Sequence, residues 1–465
     1  MQAIQKIINS KNCSVDSRTL KEGDIFFDLG SNIHNHGKYF TSAVKKKPLL
    51  IITQKKKIDL LYKKKVFIVK NIYSFYTKSI SQKFKKKPKY SIAVTGTNGK
   101  SSIAFFYYKI LLSLGYKVGS IGTLGIFENK KKKDSNLTTP SFLDNHKTLN
   151  NFYKKKINHA IIEASSHGLK QSRLNSINFY SGIFTNLTHD HLDYHLTMRD
   201  YLESKLILFN KLIKKKGFII TGSDIPEFPI LKKISKKNKI KLLSYGANGN
   251  TIKIISFKAL GKFTNLKINV LGKIFILKLN LIGKFQIENF LSAVLACYSC
   301  GIGFERIFQV CSKVKNPPGR MELIKKFNKI IIIDYAHTPD ALKKTINEVR
   351  NFFKREVNVV FGCGGGRDQS KRKIMGKIAD KLCKKIYITN DNPRQEDPSK
   401  IISEIKKGCP AATAIQDRGE AIKKAIHSLK EEVLLIAGKG HENYHISKNQ
   451  KIAFSDRITA ISCLR

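Results

Sequence analysis

The chain has 465 residues, enough for about three domains, and a hydrophobic content of 42% that supports packed cores. No apolar run approaches the length of a membrane span, and the opening Met1-Gln2-Ala3-Ile4-Gln5-Lys6 carries no secretion-signal core, so a soluble, cytoplasmic protein is expected. The 86 Lys+Arg against 34 Asp+Glu give a formal charge of +52, but the lysines come in short runs along the whole chain, among them 45–47, 130–133, 154–156 and 214–216. Such runs are expected at loops and helix ends. Charge this dispersed excludes a focused nucleic-acid patch and leaves no nucleic-acid or membrane partner expected, while a positive field suits a polyanionic small substrate.

In chain order, the first segment reaches about Pro88 and contains Asp16-Ser17-Arg18, a short strand over 24–29 and a Gly/Asn/His-rich loop over 30–37. A basic stretch over 83–89 closes it. Next, the apolar run 90–94 predicts a buried strand and 103–114 a helix, with Gly96-Thr97-Asn98-Gly99-Lys100-Ser101-Ser102 between them. Strand, Gly-rich turn and helix make a phosphate cradle. Backbone N–H groups approach the anion, the helix N-terminus adds partial positive charge, Lys100 reaches the β- and γ-phosphates and Ser101 holds Mg²⁺. The usual loop has a glycine six residues before the lysine, where Val94 stands here.

Strands over 160–163 and 181–185 alternate with helical stretches and predict a parallel sheet with crossover helices. Glu163, at the carboxyl end of the first, sits where open α/β sheets place their sites, and its oxygens suit Mg²⁺. After the second, the run Thr185 to His195 holds three His and two Asp within residues 189–195, a density seldom accidental although a lone histidine is usually structural. Lys205 lies in the apolar helix that follows, over 198–209. Ile252, Ile254, Ile255, then Leu266, Ile268, Val270, then Ile274, Ile276, Leu277 predict antiparallel strands, and 287–300 a helix. Cys297 and Cys300 form a lone C-x-x-C in that helix with no second pair, as core thiols in a reducing compartment would.

After Pro317-Pro318-Gly319, apolar strands over 330–333, 357–361, 385–389 and 433–437 alternate with helices in a doubly wound pattern. Asp334 to Asp340, Gly362 to Asp368 and Asp391-Asn392-Pro393-Arg394 each follow one of these strands and so converge on one cleft.

Taken together and in order, these motifs resemble the Mur ligases, ATP-dependent amide-bond formers of peptidoglycan assembly, over nearly the whole chain. The resemblance implies an α/β fold of three domains. These are a small α/β UDP-sugar-binding domain over 1–88, a central P-loop-type ATPase over 89–317 with a mostly parallel sheet plus a smaller antiparallel one, and a Rossmann-like amino-acid-binding domain over 318–465. It implies that Gly96, Thr97, Asn98, Gly99, Lys100, Ser101, Ser102, Asn289, Arg320 and Asp334 bind ATP. Ser101, Glu163, His191 and Lys205, the last carbamylated to N6-carboxylysine, would hold Mg²⁺, and Lys100, Glu163, His191 and Lys205 would be catalytic.

Val15, Ser17, Thr138, Thr139, Ser165, Gln171 and Arg173 match contacts to a UDP-muramoyl dipeptide. Arg367, Asp391, Asn392, Pro393, Arg394, Gly438 and Glu442 match a meso-2,6-diaminopimelate pocket. Within the family Asp-Asn-Pro-Arg resembles the diaminopimelate-adding members, and the lysine-adding members lack the arginine. A monomer is expected. Leu137 stands where relatives often have asparagine, residues 31–36 match the uridine-side pattern loosely, and Gly366 replaces a frequent aspartate beside a retained Arg367.

Overall fold

The computed structural model describes residues 2–30, 39–54, 65–135, 137–261, 263–448 and 450–464, with only the backbone of Leu192 and Asp193. The 31–36 loop expected on the uridine side lies outside these residues, as does the side chain of Asp193.

The described residues form a large sheet of eleven strands, sheets of six and four, and a two-stranded hairpin. The middle of the large sheet is parallel. In spatial order its strands are Val118–Gly122, His159–Glu163, Tyr90–Thr95, Phe179–Phe184, Ile213–Gly222 and Lys241–Gly246. Their central portions, such as 92–94, 160–162 and 218–220, read as unbroken apolar runs because helices cover both faces. Tyr90–Thr95 feeds the helix Lys100–Ser113, and the next strand, Val118–Gly122, lies two places to one side; from Phe179–Phe184 onward the strands of this sheet lie on the other. Ligands bind beyond the carboxyl ends at such a reversal of strand order.

On one face, Lys100–Ser113 packs against Lys284–Ser299, with Phe106 and Phe290 edge to face at 6.0 Å between centroids. That second helix is buried nearly all round and carries Cys297; Cys300 caps its end, and both thiols are buried and free, as expected. The helices Phe142–Lys154 and Met198–Ile207 lie over the opposite face. Antiparallel strands Ile252–Leu260, Phe263–Val270 and Lys273–Leu279 extend one border of the sheet, where the sequence predicts them.

Two lysine runs depart from expectation. Lys131–Lys133 is a strand paired antiparallel with Gly125–Glu128, and residues 214–216 lie inside the strand Ile213–Gly222. The backbone of 131–133 pairs along one side while all its side chains stay in water, so no apolar alternation marks the strand.

The six-stranded sheet has the order Glu322–Lys326, Lys329–Asp334, Val433–Ala437, Val357–Phe361, Lys385–Ile388, Thr413–Ala414, all parallel except the first. Its carboxyl ends lead into Asp334, Gly438, Gly362 and Asp391. The amino-terminal sheet (Cys13–Ser14, Ile25–Phe27, Leu50–Thr53, Val66–Ile68) is parallel throughout. It docks on the large unit through Phe142 and Leu143, with Tyr76 and Phe142 at 5.5 Å between centroids.

Phe290 is fully buried between the two central helices. Phe290→Ala removes a large ring from a site with no room to collapse and costs about 3–5 kcal/mol. A lowered urea midpoint for loss of helical circular dichroism is the expected result.

Candidate active site

The phosphate loop is shaped by two glycines. Gly99 caps the helix Lys100–Ser113 at φ +90°, and a Cβ there would lie 2.4 Å from Asn289 Oδ1. Gly96 has φ +142°, and a Cβ would meet Thr185 Oγ1 at 1.8 Å. Side chains are therefore barred twice over, by conformation and by space. The loop is clamped from the next strand end: Thr97 N donates to Asn186 O at 2.8 Å and Asn98 N to Asn186 Oδ1 at 3.0 Å. Helix geometry leaves the first-turn N–H groups without intrahelical acceptors, and Gly99, Lys100, Ser101 and Ser102 line the cavity in front of them.

Lys100 Nζ donates to the loop's own carbonyls, Gly96 O at 2.9 Å and Thr97 O at 2.8 Å. Lys205, fully buried, donates to the same Gly96 oxygen at 2.9 Å and lies 4.1 Å from the centroid of the Tyr201 ring. Burial, reinforced by the Lys100 charge, pushes the Lys205 ammonium well below the usual lysine range. Burial also lowers Lys100, with Glu163 and Asp190 opposing.

Glu163 Oε2 accepts from Ser101 Oγ at 2.9 Å and from Thr123 Oγ1 at 3.1 Å, and Oε1 accepts from Thr123 N at 2.8 Å. Gly122 makes room, since a Cβ there would stand 2.1 Å from Glu163 Oε1. Ser101, Thr123 and Glu163 thus present hydroxyl and carboxylate oxygens together, a donor set that fits a hard cation such as Mg²⁺. His191 does not join them. Its ring lies 3.6 Å from Asp190 and 5.0 Å between centroids from His167. Among the described residues no three His, Cys, Asp or Glu side chains gather as a ready metal cage. Burial lowers His191 to about 4, and the charges of His191, His337 and Lys100 hold the Asp190 carboxyl below its usual range despite its burial.

Beside Glu163, Thr139 Oγ1 donates to Glu163 O at 2.7 Å and lies 2.9 Å from Ser165 Oγ, and Thr138 Oγ1 lies 3.0 Å from Thr123 Oγ1. Arg173 donates to Thr139 O at 2.8 Å and to Gln171 Oε1 at 3.0 Å. These residues of the expected dipeptide set form one cluster. Val15 and Ser17 lie in the amino-terminal unit and do not line the cavity.

Across the cavity, Asp334 accepts from Met321 N at 2.8 Å and Ala336 N at 2.9 Å, which sets the turn bearing Arg320. The Arg320 guanidinium stacks 4.2 Å from the Tyr335 ring centroid. Burial raises the Asp334 carboxyl, with Arg320 opposing. Asn289 donates to Gln286 Oε1 at 3.2 Å and backs the phosphate loop rather than lining the cavity.

The Asp-Asn-Pro-Arg turn packs on the glycine-rich one. Arg394, at φ +56°, donates through Nη1 to Gly365 O at 2.7 Å, and Gly438, at φ +111°, leaves room for Asp391 Oδ2, 2.6 Å from where its Cβ would be. Asn392 Nδ2 donates to Glu442 Oε2 at 2.9 Å. One cavity of about 740 Å³ joins Lys100, Ser101, Glu163, His191 and Lys205 on the large sheet to Arg320, Arg367, Asp391, Asn392, Arg394, Gly438 and Glu442 on the six-stranded one. Pro393 does not line it.

Tyr335, within the Asp334 to Asp340 run, also lines the cavity, as do Thr123 and Tyr201, which sequence reasoning does not single out. Thr123 immediately follows the strand Val118–Gly122, so the strand-end rule that marks Glu163 marks it too. Tyr201 lies one helical turn before Lys205 and carries no such signal.

Residues 94–297 match the Mur ligase middle domain and residues 319–440 the Mur ligase glutamate ligase domain. The chain belongs to the Mur ligase family. A UDP-N-acetylmuramoyl-L-alanyl-D-glutamate–2,6-diaminopimelate ligase of Rickettsia bellii (strain RML369-C) is 41% identical, across 97% of this chain and 95% of that protein. The protein of the same name from Wigglesworthia glossinidia brevipalpis is 39% identical, across 97% and 94%. A solved structure of that name superposes with a TM-score of 0.69 at 28% identity, covering 98% of this chain and 94% of that one. A MurF ligase from Thermotoga maritima in complex with ADP shares the fold, with a TM-score of 0.69 at 16% identity and coverage of 98% and 97%.

Gly99→Ala places a methyl against Asn289 in a backbone conformation that disfavours it. Nucleotide affinity is expected to fall about tenfold or more, from roughly 1–3 kcal/mol of strain. Titration with a fluorescent ADP analogue measures it.

Proposed function

We propose that this protein is an ATP-dependent ligase that joins meso-2,6-diaminopimelate to UDP-N-acetylmuramoyl-L-alanyl-D-glutamate, acting in the cytoplasm as a monomer. The observation that carries this reading is the single cavity in which the phosphate loop faces the Asp391-Asn392-Pro393-Arg394 turn. The names of the relatives support the diaminopimelate reading over the lysine-adding alternative. No helix among the described residues is long and apolar enough to cross a membrane.

The dipeptide carboxylate is a poor acylating group. Its oxygen attacks the γ-phosphorus of ATP, an O–P bond forms, the β–γ bridge breaks and ADP leaves. The amine of diaminopimelate then attacks the acyl carbon, the C–N bond forms, phosphate departs and the amine's proton passes to solvent or a nearby base.

Bringing carboxylate and triphosphate together is the electrostatic difficulty. Lys100 needs only to exchange the carbonyls of Gly96 and Thr97 for phosphate oxygens, and the first-turn N–H groups already face the cavity. Ser101 and Glu163 would hold Mg²⁺, with His191, which stands apart from them on the same cavity, and a carbamate on Lys205 offering further ligands there; bound metal would neutralise charge on the transferring phosphoryl group. Thr123 orients Glu163 from two sides. Depression of the Lys205 ammonium favours the neutral amine, the form that takes up carbon dioxide. Arg320, Asp334 and Asn289 serve the nucleotide. Thr138, Thr139, Ser165, Gln171 and Arg173 serve the dipeptide, with Val15 and Ser17 on the sugar side. Arg394 offers a planar fork to a diaminopimelate carboxylate, with Arg367 nearby, and Glu442 an acceptor for an ammonium.

ADP release with dipeptide substrate, ATP and either meso-diaminopimelate or L-lysine tests the reading. Turnover should require the diaminopimelate, and Arg394→Ala should lower its kcat/KM on the order of 10²–10³-fold by leaving a carboxylate unpaired. Equal use of lysine, or no ADP release, overturns it. Carbon-13 NMR in labelled bicarbonate should show a carbamate resonance that Lys205→Ala lacks.

A further inference from the structure

Lys439 is an unusual lysine in a chain crowded with them: its side chain is fully buried. It sits on the turn after the strand Val433–Ala437, between Gly438 at φ +111° and Gly440 at φ +55°. Its Nζ donates to Asn392 Oδ1 at 3.0 Å and to Glu442 Oε2 at 3.3 Å, and the Tyr444 ring centroid is 5.8 Å away. A buried ammonium is costly unless paired and hydrogen-bonded, so a cation kept here has its partners chosen for it.

Those partners are two residues of the proposed amino-acid pocket. Asn392 Oδ1 accepts a second bond, from Ile446 N at 2.9 Å. Lys439 and the Ile446 N–H can only donate, so the amide oxygen must face them and the amide NH₂ must face Glu442, to which it donates at 2.9 Å. The orientation of Asn392 and the position of the Glu442 carboxylate therefore follow from one buried charge.

The arrangement extends to the guanidinium side. Ile446 belongs to the hairpin Tyr444–Ser447 with Gln450–Ala453, and its carbonyl accepts from Arg394 N at 3.1 Å. Asn392 thus bonds the same hairpin residue that holds the Arg394 backbone at positive φ.

We infer that Lys439 is the positioning residue of the amino-acid pocket, a buried cation that locks Asn392, Glu442 and, through Ile446, Arg394 into one receptor for a substrate carrying both ammonium and carboxylate groups. It acts through these neighbours and is not a catalytic residue. The inference rests on the function proposed above.

Lys439→Met keeps length and removes the charge, and Lys439→Gln keeps a donor without it. KM for meso-diaminopimelate is expected to rise at least tenfold in Lys439→Met, with its preference over L-lysine falling by a similar factor. Lys439→Gln should fall between this variant and the parent. In both, kcat and the KM for ATP should stay within about threefold, and ADP binding, which reports a folded protein, should be retained. Unchanged KM for the amino acid, a fall in kcat alone, or loss of ADP binding in both variants overturns the inference, the last by making the lysine merely structural. If the unsubstituted enzyme fails to release ADP with the diaminopimelate, it is the function itself that fails.

Discussion

Two ammonium groups converge on one carbonyl oxygen, that of Gly96, and the rest of the site is arranged around them. Lys100 comes from the helix that follows the loop and Lys205 from a helix about a hundred residues later. Burial lowers both ammonium groups by making their charge costly, and the Lys100 charge lowers Lys205 further. A carbonyl dipole offsets only part of that cost, so the loop is built with more positive charge than its own atoms satisfy. That imbalance suits a polyphosphate, and it depresses the lysine whose neutral form is chemically useful. Gly96 makes the convergence possible, because any side chain would collide with Thr185 and open the loop.

The parts of this arrangement written in contiguous residues were legible in the sequence. Strand, glycine turn and helix over 90–113 follow from local pattern. Strands Val357–Phe361 and Val433–Ala437 have the bounds that their apolar runs predict, because burial on both faces leaves no ambiguity of period. The clustering of Thr138, Thr139, Ser165, Gln171 and Arg173 was reachable only through family resemblance, since hydrogen bonds between residues 139 and 173 have no local signature. Lys439 stands in the Gly438 to Glu442 run that the resemblance marks, but its burial was hidden for a different reason. Among 86 basic residues, nothing in the local pattern separates a buried lysine from a solvated one; the fold makes the distinction by closing the turn and the hairpin over it.

Acidic residues are scarce, 34 in the chain, and many are committed. Glu163 and Glu442 serve the cavity. Glu396 and Glu404 hold the fully buried Arg372 at 2.8 Å each, beneath the turn that carries Arg394. Asp456 pairs with buried Arg418 at 2.7 Å, and that guanidinium also donates to the carbonyls of Asn390 and Ala437, at the ends of two strands that flank Val357–Phe361. The lysine runs lie largely where solvent screens them, while these carboxylates are tied into the geometry of the interior.

The borders of the eleven-stranded sheet show what that excess of lysine does for the molecule as a whole. One border is the all-lysine strand Lys131–Lys133; the other, Lys273–Leu279, sets exposed Ile274 and Ile276 between Lys273 and Lys278. A bare strand edge invites another copy to continue the ladder, and exposed isoleucines would strengthen the invitation. Two such margins brought together would align ammonium groups across a 4.8 Å spacing, roughly that of neighbouring strands. The lysines therefore act as mutual fenders between molecules, and their protection is electrostatic, strong in dilute buffer and weakened as ionic strength rises.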